Sequence, residues 1–238
     1  MSWTDQFVKQ GFVKVQAASP QVGLAAQELL WKQIGLSPDD PSGWTQPVVW
    51  AADMTGVGPF GQIIRSPVLA QALDEVCGQG GWRPSGACGN IPIRFPNLPP
   101  ADDRGWHIDL NVMHEDGSWA VSGRPGTLLL LILFSEVGPD DAPTRIRVGS
   151  QRDAAAALGD GTYEHVPASR LIEAASAERP LAYATGLPGE VYVVHPLTVH
   201  AAQEHLGSRP RFMAQTPIFL SAPLDPSADT PLARAVRE

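Results

Sequence analysis

The sequence predicts a mainly β fold, a double-stranded β-helix or jelly roll made of two sheets, with helices flanking it. Three observations predict this. Short extended runs punctuated by Gly, Pro, Asn and Asp fill the chain after Gly78. Their spacing varies and no repeat period relates them, which disfavours a propeller or solenoid. Before Gly78, two apolar stretches open on Ser-Pro and read as helices.

The first helix follows Ser19-Pro20, an N-cap and an N1 proline, and runs through VGLAAQELLWKQIGL with Leu24, Leu30, Trp31 and Ile34 near one face. The second opens at Ser66-Pro67, with Val68, Leu69, Leu73 and Val76 or Cys77 inward and Gly78 as its stop. Strands are expected in NIPIRFP, GWHIDLNV, GTLLLLILFSEV, TRIRVG, GEVYVVHP and RFMAQTPIFL. Further helices are expected from Gln151 to Leu158 and around Ala168 to Ala177, and a short one in the tail after Pro223. No linker divides the chain, so residues 1–238 are expected to form one domain, helical over about 1–80 and jelly roll over about 81–222.

Composition excludes several classes of protein. With 238 residues, 43% of them hydrophobic, the chain can bury a sizeable core. Its longest apolar run, Leu128 to Phe134, falls short of the roughly 18 residues needed to span a bilayer and reads as a buried strand. The N-terminus lacks the basic and apolar regions of a secretory signal, so a cytoplasmic protein without a membrane anchor is expected, with Cys77 and Cys88 as free, packed thiols. A formal charge of −8, with three lysines, argues against a nucleic-acid surface. The arginines are then of interest singly, because a guanidinium suits bidentate capture of a carboxylate or phosphate.

His107-Ile108-Asp109 lies in an extended run, where the two-residue period of a strand puts His107 and Asp109 on one side, able to hold a metal. The spacing is repeated in His114-Glu115-Asp116, but that triplet runs into Gly117-Ser118 and reads as a surface turn. A third ligand must come from a distant segment. His195, His200 and His205 are candidates, while His165 reads as loop; spacing alone does not choose. The choice comes from Arg211, which alternates with Met213 and Gln215 and is expected beside His200 on a neighbouring strand, facing the same interior. A buried arginine needs an anionic partner, which an oxo-acid co-substrate would supply.

With these residues in place, the chain from about Arg94 to Ile218 resembles the phytanoyl-CoA dioxygenase family of Fe(II)/2-oxoglutarate oxygenases. Gly105-Trp106-His107-Ile108-Asp109 resembles its G-x-H-x-D element, and the stretch Asp140 to Gln151 is similar to its DNGPLRVVPGSH run. Pro188-Gly189-Glu190, His195-Pro196 and His200 resemble its PGD...WHPxxxHG run, and the separation from His200 to Arg211 matches the family's usual distance from distal ligand to co-substrate arginine. The sequence departs from the pattern at Ala201-Ala202, where Gly-Ser or Gly-x-Ser is usual, at Gln151 in place of histidine, and at Ala142 in place of glycine. Asp109 is retained where related halogenases carry a small residue, which implies oxygen insertion or oxidation.

The resemblance implies a cupin-like fold and an Fe(II) ion held by His107, Asp109 and His200. It also implies 2-oxoglutarate anchored by Arg211, with Arg94 as a further co-substrate contact, and O2 as oxidant, to hydroxylate or otherwise oxidise a small organic substrate with release of succinate and CO2. Acidic net charge and the lack of a lysine cluster argue against a CoA thioester. The alternative is a cupin-like metal-dependent hydrolase or isomerase using the same ligands without O2. Trp106 and Trp119 flank the metal segment as core or pocket wall, and the loop from Glu115 to Arg124 is placed to close over substrate.

Overall fold

In the computed structural model, which describes residues 2–238, the chain begins α1 (Trp3–Gln10), β1 (Phe12–Gln16), α2 (Pro20–Ile34), β2 (Val48–Asp53), α3 (Pro59–Ile64) and α4 (Pro67–Cys77). It continues through β3 (Gly89–Arg94), β4 (Val112–Met113), β5 (Trp119–Ser122), β6 (Thr127–Leu133), β7 (Arg145–Arg147), α5 (Gln151–Leu158) and β8 (Thr162–Tyr163). The last elements are α6 (His165–Ala175), β9 (Leu181–Tyr183), β10 (Glu190–Val194), β11 (His200–Ala201), β12 (Arg211–Phe219) and α7 (Pro231–Arg234). The strands form a large sheet in the order β1-β10-β6-β12-β3-β2, a small sheet β11-β7-β9, and a third, β4-β5-β8. Every strand pairing is antiparallel.

β6 is buried at every position because both faces of the large sheet are covered. Leu129, Leu131 and Leu133 join Tyr192, Val194 and Met213 in a cluster that also takes Ile146 and Ala182 from the small sheet. This is the space between two facing sheets that a jelly roll requires. Leu128, Leu130 and Ile132 point the other way, toward Phe7, Leu30, Leu69 and Leu73 of the helices.

The helices begin and end where their signals lie. Ser66 accepts from the Leu69 amide at 3.1 Å, Pro67 fills N1, and α4 buries Leu69, Ala72, Leu73, Val76 and Cys77. The buried stripe excludes two residues expected inside, Leu24 and Val68, which are exposed. Both cysteines are free and buried.

The first third differs from its all-helical expectation. It supplies both edges of the large sheet, β1 against β10 and β2 against β3. Five- and six-residue strands lying among helices carry too short an alternation to be distinguished by period. The stretch from Glu115 to Arg124 also differs from a free loop. It contains β5, held by Ser122, whose amide donates to Asn111 Oδ1 at 2.8 Å and whose carbonyl accepts from Asn111 Nδ2 at 3.2 Å.

Candidate metal centre

His107 and His200 are brought together by backbone pairing. Each donates its amide to the other's carbonyl, at 3.0 and 2.9 Å, an isolated antiparallel bridge between distant segments. Their rings lie 4.6 Å apart. Ile108 points into the core and Asp109 returns to the His107 side, as the strand period requires. Asp109 Oδ1 sits 3.8 Å from His107 Nε2 and 3.7 Å from His200 Nε2. One ligand atom from each of the three residues falls within 4.8 Å of the others.

Each imidazole is held the same way. Nδ1 of His107 is 2.9 Å from the Gly105 carbonyl, and Nδ1 of His200 is 3.0 Å from the Thr198 carbonyl. A carbonyl only accepts, so Nδ1 carries the proton in both rings and Nε2 presents a bare lone pair. The Nε2 of His200 is buried and has no hydrogen-bond partner. A buried acceptor left unpaired costs free energy unless something electrophilic sits against it. Two neutral imidazoles and a carboxylate, converging with one orphaned lone pair, form the donor set that suits a divalent metal such as Fe(II).

Electrostatics favour a neutral imidazole at His107 and an ionised carboxylate at Asp109, whereas at His200 they favour a proton that a bound metal would displace. Burial, with the neighbouring His200, pushes the His107 pKa down to about 4. Burial raises the Asp109 carboxyl, but the two imidazoles outweigh it and hold its pKa below the usual range. At His200 burial acts downward and the adjacent Asp109 more than compensates, so its pKa is raised.

The other histidines separate cleanly. His195 is locked in the core, its Nδ1 accepting from the Leu197 amide and its Nε2–H donating to the Leu232 carbonyl, both at 3.1 Å. His205 turns to the Arg209 carbonyl at 2.8 Å. His114 lies in an exposed turn, as its sequence suggests. His165 is the residue that sequence reasoning missed: it opens α6, its ring lies 5.6 Å from that of His107, and it lines the cavity at the cluster. The glutamate before it and Pro167 mark a helix start, but nothing in the sequence ties that start to His107.

Arg211 is fully buried and faces the space between the sheets, on the same side of β12 as Met213. The expected neighbouring-strand placement is corrected: β11 pairs with β7 in the small sheet, while β12 pairs with β3 and β6 in the large one. His200 and Arg211 approach the interior from opposite layers because the chain passes from the small sheet to the large one between residues 201 and 211. Arg211 donates to the carbonyls of Ala142, at 2.8 Å, and Pro92, at 3.4 Å, and its Nε has no partner. Among the described residues it makes no ion pair, and burial, aided by the Arg94 charge, pulls its pKa well down. Arg94 stands directly opposite on β3, and its guanidinium pairs with Asp103, Nη1 to Oδ1 at 3.2 Å, with its Nε unpartnered. Ala142, which departs from the glycine of the resembled family pattern, holds φ 51, the left-handed conformation that favours glycine.

A cavity of about 610 Å³ opens on His107 and Asp109. Trp119 lines it; Trp106 packs instead under the guanidiniums of Arg145 and Arg147, 4.6 and 4.3 Å from its ring centre.

The facing sheets and the two-histidine, one-carboxylate cluster define a cupin-like jelly roll of the non-haem iron oxygenase type. The sequence profile of the phytanoyl-CoA dioxygenase (PhyH) family matches residues 45–213, and the chain belongs to that family and so to the Fe(II)/2-oxoglutarate-dependent enzymes. Solved structures share the fold. The epimerase SnoN, in complex with Fe3+, alpha-ketoglutarate and nogalamycin RO, is 15% identical with a TM-score of 0.66, covering 91% of this chain and 82% of its own. HygX from Streptomyces hygroscopicus, with nickel and 2-oxoglutarate bound, is 12% identical with a TM-score of 0.60, over 92% and 86%. The non-haem monooxygenase ThoJ, as a nickel complex, is 15% identical with a TM-score of 0.58, over 97% and 80%. A comparison with curated proteins finds no significant match. No helix among the described residues is long and apolar enough to cross a membrane.

Proposed function

We propose that this protein is an Fe(II)- and 2-oxoglutarate-dependent dioxygenase that hydroxylates or otherwise oxidises a small organic molecule, with His107, Asp109 and His200 holding the iron. The observation that carries the reading is the convergence of three ligand atoms within 4.8 Å, one of them the orphaned Nε2 of His200. When bound, ferrous iron with 2-oxoglutarate and O2 supplies oxidation of a C–H bond, coupled to release of succinate and CO2. That chemistry belongs to the metal and co-substrate, and the protein contributes position and a shielded space.

Each residue then has a task. The Gly105 and Thr198 carbonyls hold both imidazoles by Nδ1 so that Nε2 is the atom offered to a metal, which would displace the proton that Asp109 favours on His200. Asp109 supplies the negative charge that offsets the cation. Arg211 offers a guanidinium with no anion yet paired to it, suited to the distal carboxylate of 2-oxoglutarate. Arg94, opposite Arg211 on β3 and paired with Asp103, is the second guanidinium at that end of the interior and a further contact for the co-substrate. Leu131, Tyr192 and Met213 keep that interior dry. The neighbours' epimerase and monooxygenase activities are compatible with one oxidising centre serving different outcomes.

Anaerobic addition of Fe(II) and 2-oxoglutarate is expected to give a visible charge-transfer band, and His107→Ala is expected to abolish it while the far-ultraviolet circular dichroism stays unchanged. A wild-type protein without the band refutes the assignment.

A further inference from the structure

The cavity beside the cluster has a lining whose chemistry selects a class of substrate. Its walls are Trp50, Leu110, Trp119, Leu129 and Pro217, and its polar groups besides the two ligands are the amides of Asn90 and Gln215 and the His165 ring. Lysine and arginine are absent from that lining. The arginines of the jelly-roll interior lie outside this lining and have other tasks: Arg94 pairs with Asp103, Arg211 is kept for the 2-oxoglutarate carboxylate on the reading above, and Arg145 and Arg147 stack on Trp106. The only carboxylate on the lining is Asp109, which the iron would neutralise. A site with no free cation and no free anion has nothing to offset the desolvation of a charged substrate.

The rim extends the apolar surface. Trp50 is 64% exposed on the edge strand β2, Met113 53%, Phe219 39% and Leu110 38%. Trp119 packs against Phe219 with ring centres 5.9 Å apart, which holds its indole in place at the opening. Large exposed aromatics grouped at the mouth of a cavity mark a binding surface, and about 610 Å³ falls within the range of sites for drug-sized ligands. Indole faces favour flat rings, and the two amides offer donors and acceptors for hydroxyl or carbonyl groups at a ring's edge.

From this lining we infer that the substrate is an uncharged, flat, ring-containing molecule with hydroxyl or carbonyl substituents, held against Trp50 and Trp119, and not a CoA thioester or other phosphorylated compound. The inference rests on the oxygenase reading of the same site. The net charge of −8 adds to it, since the whole molecule repels a polyanionic substrate.

The test is isothermal titration of the full-length protein, metal-free and loaded anaerobically with Mn(II) and 2-oxoglutarate. The probes are 1-naphthol, flavone, 1,8-dihydroxyanthraquinone, anthraquinone-2-sulfonate and benzoyl-CoA. At least one neutral ring compound is expected to bind, with the sulfonate about tenfold weaker than the dihydroxyanthraquinone and benzoyl-CoA weaker than any neutral ring that binds. Trp50→Ala is expected to weaken ring binding by about tenfold and Trp50→Phe to restore most of it, and Trp50 is exposed enough that neither change threatens folding. Tighter binding of benzoyl-CoA, no binding of any neutral ring, or a Trp50→Ala variant that binds rings as wild type each overturns the proposal. The two readings fail separately: a charge-transfer band without ring binding removes the substrate class alone, and ring binding to a protein that shows no band removes the oxygenase reading alone.

Discussion

Arg211 is the side chain whose surroundings ask most for a missing partner: a guanidinium in the interior, two backbone carbonyls for company and an idle Nε. A lysine there keeps the charge but loses the planar fork. Arg211→Lys is therefore expected to raise the 2-oxoglutarate concentration needed for half-maximal charge-transfer absorbance by about tenfold or more, with Fe(II) affinity nearly unchanged. An unaltered 2-oxoglutarate requirement would assign the anchor to another residue.

His195, five positions before His200, shows the opposite condition, with both ring nitrogens already engaged and its pKa pushed down to about 3 by burial. In the unfolded chain this ring takes up a proton near pH 6.5. Between about 6.5 and about 3 the unfolded state therefore binds a proton that the folded state refuses, and stability is lost as pH falls through that window. The slope approaches ~1.4 kcal/mol per pH unit for this one group. Urea titrations from pH 7 to pH 4.5 should show a shallower decline for His195→Asn than for wild type, and identical slopes would contradict the burial argument.

Among the elements, the junction of α1 and β1 is the tightest. Gly11 ends α1 at φ 84, and its carbonyl accepts from the His195 amide at 2.8 Å and from Thr198 Oγ1 at 2.9 Å. An added Cβ would collide with Thr198 Oγ1 and the Gln151 side chain. Gly11→Ala is expected to cost about 2 kcal/mol or more and to lower the calorimetric unfolding midpoint by roughly 5 °C. How well an element could be read from sequence followed its length and its punctuation. β6, with seven apolar residues in a row, and the helices opening on Ser19-Pro20 and Ser66-Pro67 are legible from pattern because burial on both faces or a proline at N1 leaves a strong local mark. β1 and β2 are not, because an edge strand of five or six residues is specified by its partner across the sheet, and that partner lies far away in sequence.

For the molecule as a whole, the pairing of His107 with Asp109 is legible from strand period, whereas the choice of His200 rests on the family resemblance, because the neighbouring-strand placement expected for His200 and Arg211 is not the one observed. Which layer a strand joins depends on the crossing between them, and no periodicity encodes that. His165 stayed hidden for the same reason, as only the packing of α6 beside the His107 segment brings it in. A metal that ties the His107 segment to the distant His200 segment is expected to stabilise the fold. Mn(II) at about a hundred times its dissociation constant is expected to add ~2.7 kcal/mol and raise the midpoint by roughly 5 to 10 °C, a shift that EDTA reverses and that His107→Ala lacks.

The pairing of β1 with β10 has a further consequence during synthesis. Phe12–Gln16 is made long before Glu190–Val194, the strand that completes its hydrogen bonds. His107 and Asp109 likewise precede His200, so a nascent chain holds two of the three candidate donors before the bridge that pins them can form. On the proposed ligand set, iron loading must follow the closing of the sheet, and a stalled chain ending before residue 200 is expected to be unable to retain the metal.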